Sequence, residues 1–142
     1  MKIDVVCVGK LRNAGLEDLC RDYEKRVRRH VAMRQVEAKD DRGLVRAVDS
    51  ASWVVALEVG GRALDSRGFA EPLARWGEKK GGRITFVIGG ADGIPRALSE
   101  AADARLSLST MTLPHRLARV LLCEQLYRAV SIWRGEPYAR ED

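Results

Sequence analysis

Five short runs of apolar, mostly β-branched residues recur along the chain, at residues 3–8, 31–36, 53–59, 84–88 and 105–108, and each predicts a strand. Between them the apolar positions change to helical spacing. Leu16, Cys20, Tyr23 and Val27 mark one face of a first helix, Leu44, Val45 and Val48 a short second, and Phe69, Leu73 and Trp76 a third. A brief fourth helix is predicted over residues 95–102, opened by Pro95 at a position helices favour. Strands alternating with helices predict an α/β fold with a mostly parallel sheet of five to six strands, flanked by helices. In such folds ligands bind beyond the carboxyl ends of the strands, and two glycine-bearing segments, after Val59 and after Ile88, are expected to be turns at such ends.

The last helix, predicted over residues 114–133, has a different pattern. Leu117, Val120, Leu121, Leu122, Leu126, Tyr127, Val130, Ile132 and Trp133 fall on nearly every side of it. A helix apolar almost all round must be covered on more than one face. A sheet this small covers one face, so a second copy of the chain, related by two-fold symmetry, is expected to cover another.

At 142 residues the chain is one domain's length, able to bury about two-thirds of its unfolded surface, and a single domain over residues 1–142 is expected. No run of about eighteen apolar residues occurs, and "MKIDVVCVGK" reads as a strand, not a signal peptide, so a soluble cytoplasmic protein is predicted. Cys7, Cys20 and Cys123 lie far apart inside apolar patterns, as reduced core thiols do, and neither a disulfide framework nor a metal site is indicated. The net charge is +5, and between residues 10 and 34 eight Lys or Arg stand against four Asp or Glu. Arg21, Lys25, Arg28 and Arg29 recur at helical spacing, which makes either a polyanion-binding face, with RNA or DNA as the obvious ligand, or a solvated helix surface.

Two segments carry candidate chemistry. "GGADGIPRA" lacks both the lysine and hydroxyl of a phosphate loop and the GxGxxG spacing, so it is a tight turn at Asp92-Gly93, or a glycine edge able to lie flat against a ligand. "SLSTMTLPH" supplies backbone groups and the hydroxyls of Ser107, Ser109, Thr110 and Thr112 just before the last helix. It is either a capping segment, with Thr112 or a neighbour as cap, or a surface for the edge of an adenine. His115, in the first helical turn, is expected to be neutral, and His30 structural. Glu124 and Arg128 stand four apart in the order that favours an ion pair, as a structural bridge or a polar inset of a site. Tyr138 and Arg140 follow in a short polar tail.

With these residues in view, the chain resembles the RlmH family of SPOUT-class methyltransferases, which methylate N3 of a pseudouridine in 23S ribosomal RNA. The matching segments are "VVCVGK", "VVALEVGGRALDS", "FVIGGADG", "LSLSTMTLPHRLARVLLCEQLYRA" and "PYAR", in order over essentially the whole chain. The resemblance implies a C-terminal trefoil knot, an obligate homodimer and S-adenosyl-L-methionine bound by Leu57, Gly89, Leu108, Ser109, Thr110, Met111, Thr112 and Leu113. It also implies substrate-side, catalytic roles for Glu124, Arg128, Tyr138 and Arg140, with one subunit's tail bordering the other's pocket, and 23S ribosomal RNA in the assembled ribosome as partner. Members usually carry His after the tail tyrosine, where this chain has Ala139. Another group is then expected to ease removal of the N3 proton, and positive charge from Arg128 or Arg140 suits that role. Two other readings of the chain are a non-catalytic ribosome- or RNA-binding dimer and a SPOUT methyltransferase acting on another RNA, such as tRNA.

Overall fold

The computed structural model describes residues 1–141; the side chain of Glu141 and all of Asp142, the end of the polar tail, lie outside the described residues. Five parallel strands, β1 (Lys2–Val8), β2 (Ala32–Ala38), β3 (Trp53–Ala63), β4 (Arg83–Ile88) and β5 (Ala104–Ser107), form one sheet in the order β2-β1-β4-β3-β5. The α/β prediction with a parallel sheet holds, at the lower of the two strand numbers. The central strands β1 and β4 are buried almost throughout and mostly apolar, as strands covered on both faces are, with Asp4 and Thr85 as buried polar exceptions.

Alternation along the strands divides the core in two. Ile3, Val5, Cys7, Val55, Ile84, Phe86 and Ile88 point to the side covered by α1 (Ala14–Arg28), α3 (Ser66–Trp76) and α5 (His115–Arg134). Val6, Val54 and Val87 point to the other, smaller side, closed by Leu44 of α2 (Asp41–Ala47) and Leu98 of α4 (Arg96–Ala101). Val45, expected on the packed face of α2, is half exposed; a seven-residue helix presents only Leu44 fully to the sheet. The cysteines are free and buried, as their apolar surroundings predict, and burial pushes the Cys7 thiol up to about 11. Arg119, in the middle of α5, is nearly buried because Gln35 and Glu37 of the edge strand β2 accept from its Nε (2.8 Å) and Nη1 (2.7 Å).

The third strand departs from expectation where it matters most. The glycines after Val59 do not make a turn: β3 runs on to Ala63, and its residues Leu57 and Arg62 both pair with Leu106 of β5. Residues 58–61 therefore leave the ladder as a bulge and return to it. At the return, a Cβ on Gly61 would lie 2.7 Å from the carbonyl carbon of Leu106, whereas one on Gly60 would meet nothing within 4 Å. Backbone rests on backbone there, and only glycine permits it.

This contrast yields a test. Gly61→Ala is expected to lower stability by about 1–3 kcal/mol, the usual cost of overpacking. Gly60→Ala should stay within about 0.5 kcal/mol of the parent in the same urea titration.

Candidate functional site

The bulge of β3 forms one wall of a cleft. Leu57, Glu58 and Val59 face Ser107, Leu108, Ser109, Met111 and Leu113 across it, and Ala118 of α5 closes one end. With its open mouth the cleft holds about 320 Å³, at the lower end of small-molecule sites. The walls are mainly apolar, and Glu58 is the one ionisable side chain lining it among the described residues. Leu57, Leu108, Ser109, Met111 and Leu113 thus come together as the sequence suggests. Gly89, Thr110 and Thr112 do not line this cleft.

The loop before α5 shapes itself. Ser107 Oγ donates to the Ser109 carbonyl (2.8 Å), and Ser109 Oγ accepts from the Met111 amide (2.9 Å), so two of the four hydroxyls are spent within the loop. Thr112 is not the cap; the helix opens from Pro114 without a side-chain cap, and its first amides lack acceptors within the helix. Gly89 needs to be glycine for a local reason: its absent Cβ would collide with the carbonyl of Gly93, in a turn where the Gly93 amide donates to Gly90 (3.0 Å) with Gly93 at φ +85°. The Asp92-Gly93 tight turn is as expected.

A second constellation sits on α5 and the tail. Glu124 and Arg128 form the ion pair their spacing predicts, with Arg128 Nη2 and Nε at 2.7 Å and 2.9 Å from Glu124 Oε1. The same oxygen accepts from Tyr138 Oη (2.9 Å), while Oε2 accepts from Gln125 Nε2 (2.8 Å). Both members of the pair are about 85% covered, with side-chain exposures of 14% and 15%. A carboxylate so fully occupied by donors is an anchor for its neighbours. Ser66, at the start of α3, donates to Gln125 Oε1 (2.8 Å), and a second cavity bordered by Ser66, Leu121 and Gln125 shares Ser107 and Leu108 with the first. The anchor is therefore linked to the cleft, but Glu124, Arg128, Tyr138 and Arg140 do not line it.

The tail is not an ordinary exposed terminus. Gly135, left-handed at φ +66°, ends α5 and reverses the chain, and the 3-10 turn Pro137–Glu141 packs back on the helix. That return makes Tyr138 half-buried and Ala139 buried, leaving Arg140 exposed. Glu58 and Gln125 are not among the candidate residues of the sequence. A lone acid at a strand end has no pattern, though Gln125 could have been found from its place beside Glu124 in a helix otherwise apolar. On α1 and at its C-cap, Arg21, Lys25, Arg28 and Arg29 are all exposed, and Arg21 pairs with Asp18 at 2.9 Å. Among the described residues no group of three or more His, Cys, Asp or Glu could hold a metal ion, and no helix is long and apolar enough to cross a membrane.

Burial, with the Tyr23 hydroxyl and the Glu124 carboxylate alongside, pushes the Tyr138 phenol well above its ordinary range. The unfolded chain ionises first, so this group's contribution to stability is complete below about pH 10 and is lost as pH rises further. Tyr138→Phe is expected to lose less stability than the parent between about pH 9 and 11, measured by urea titration at each pH.

The sequence and the fold have counterparts in known proteins. The family model described as "Predicted SPOUT methyltransferase" matches residues 1–139. A protein of Sorangium cellulosum named ribosomal RNA large subunit methyltransferase H is 48% identical, over 98% of this chain and 99% of its own. Its namesake in an Anaeromyxobacter species is 43% identical, over 97% and 99%. Among solved structures, a probable methylase family protein from Haemophilus influenzae is similar over 94% of this chain and 68% of its own, with a TM-score of 0.64 at 15% identity, a likeness of fold. The fold and a near full-length sequence match agree, and the chain belongs to the SPOUT methyltransferase family.

Proposed function

We propose that this chain is an S-adenosyl-L-methionine-dependent methyltransferase acting on N3 of a pseudouridine in 23S ribosomal RNA within assembled ribosomes. The observation that carries the reading is the cleft between the β3 bulge and the loop before α5, in a chain of this family. Its residues fit the methyl donor: Leu57, Val59, Leu108 and Leu113 offer flat apolar surface for an adenine, and the Glu58 carboxylate offers negative charge to a cationic ligand. S-adenosyl-L-methionine supplies an electrophilic methyl group on a sulfonium when bound. Leu57 and the 108–113 segment hold the donor, with Gly89 shaping the neighbouring turn.

On the substrate side the chain positions the base and favours its anion. Glu124 anchors Arg128 and Tyr138, and Arg140 contributes an exposed positive charge. The N3 proton of a uracil-type base is weakly acidic, and cationic groups stabilise the anion left when water takes it. Ala139, buried and without a titratable group, is then no obstacle. The exposed bases of α1 hold ribosomal RNA phosphates, which gives affinity without sequence choice.

The working unit is a cytoplasmic homodimer of single-domain subunits, one subunit's tail bordering its partner's cleft. Two observations support this: the proposed substrate-side residues lie away from the cleft of their own chain, and Val59, Met111, Leu117 and Leu121 are large apolar residues 42–75% exposed around the cleft and the α5 face. The double pairing of β3 with Leu106 supports a C-terminal trefoil knot, since it needs one stretch of chain to pass closely over another.

Purified protein is expected to transfer labelled methyl groups to 23S RNA of 70S ribosomes lacking the modification, and to bind S-adenosylhomocysteine in calorimetry. Folded protein that binds the nucleoside but labels no ribosome overturns the substrate, and label in tRNA reassigns it. Arg128→Ala should lower transfer about 10²-fold, the scale of a lost transition-state donor, with nucleoside affinity kept.

A further inference from the structure

The α5 face that holds Glu124 carries a third residue of unassigned role. Glu124, Tyr127 and Arg128 are spaced i, i+3 and i+4, so a carboxylate, a ring and a guanidinium stand side by side toward the tail. The Tyr127 ring lies 4.7 Å from that of Tyr138, inclined at 60°. On its other side is α1, with the Tyr23 ring at 6.3 Å and the Arg26 guanidinium 5.5 Å from its centroid. Arg26 also lies 5.8 Å from the Tyr23 ring and is held by Asp22 at 3.1 Å. Arg128 covers the Tyr138 ring at 4.9 Å. The rings of Tyr23, Tyr127 and Tyr138 form a ladder from the basic helix to the tail, with a cation beside each end.

We propose that Tyr127 is a positioning residue, whose ring, braced by Tyr23 and Arg26 of α1, fixes the ring of Tyr138 and so keeps the Tyr138 hydroxyl on Glu124. This rests on the methyltransferase reading above. The tail needs such a brace because Gly135 reverses the chain at the helix end, and a five-residue 3-10 turn has little packing of its own. A hydrogen bond of 2.9 Å from Tyr138 to Glu124 survives only if the ring bearing it cannot pivot. Geometry makes the ring of Tyr127 the working part. The ladder also ties the tail to the helix whose exposed bases face phosphate, so seating of RNA on α1 and the place of Tyr138 share one frame.

The test uses the full chain with modification-deficient ribosomes. Tyr127→Leu is expected to lower kcat about tenfold with KM for ribosomes changed less than about twofold, and Tyr127→Phe, which keeps the ring, to retain most activity. In a Tyr138→Phe background the Leu substitution should cost less than about twofold, because both changes then remove one effect. Tyr23→Leu, which removes the α1 ring that braces Tyr127 together with the hydroxyl 3.5 Å from that of Tyr138, should show the same coupling, with Tyr23→Phe, which keeps the ring, retaining most activity, and this pair serves if Tyr127→Leu fails to fold. Equal losses in both backgrounds, or full activity of Tyr127→Leu, overturn the proposal. A second readout is independent of activity: in carbon-13 tyrosine spectra, Tyr138 should begin to ionise near pH 10 in Tyr127→Leu and stay protonated there in the parent. If the parent itself transfers no methyl group, the functional reading fails while this titration still decides the positioning claim, and an unchanged Tyr138 signal overturns it.

Discussion

The close passage of β3 over β5 is the constraint on which the site depends. Two residues of β3, Leu57 and Arg62, claim the same partner, Leu106, so four residues must leave the sheet between them. The return is possible only because Gly61 lets main chain rest on main chain. What leaves the sheet becomes the wall of the cleft, and what stays in it fixes the loop before α5 as the opposite wall. From there rigidity runs along α5 through Gln125 to Glu124, and from Glu124 to the tail. The apolar cleft and the charged anchor are built by one device and one helix, at different distances from the same crossing.

Much of the fold is legible in local pattern. β1 and β4 show themselves as near-continuous apolar runs, and α1 by the spacing of Leu16, Cys20, Tyr23 and Val27. Less is visible where local chemistry has two solutions. Gly60 and Gly61 suit a turn as well as a bulge, and only the presence of Leu106 decides between them. Thr112 has the chemistry of a cap, but Pro114 takes the position. The strand order is not local at all, since it pairs β1 with β4 across the intervening helices.

The site divides the same way. Glu124 and Arg128 are legible because helical geometry alone brings residues four apart into contact. Tyr138 is hidden because its approach to Glu124 depends on a left-handed Gly135 and on rings contributed by α1 and α5. Family likeness points to Gly89 as a ligand contact, whereas the need for glycine there is already explained by the Gly90–Gly93 turn. The loop hydroxyls likewise have a structural use: Ser107 and Ser109 hold their own backbone in shape. Residue types announce polar capacity, and the fold determines whether a ligand or the chain itself uses it.

The position of β1 has a consequence for the birth of the molecule. The inner edge of this strand is completed by β4, about eighty residues further along the chain, and one of its faces is covered by α5, more than a hundred residues further along. A growing chain on the ribosome therefore carries an unfinished sheet centre until α5 has emerged, with only β2 available as an early neighbour. Assembly is late and concerted by construction, and an N-terminal fragment lacking α5 would hold its central strand with one face bare.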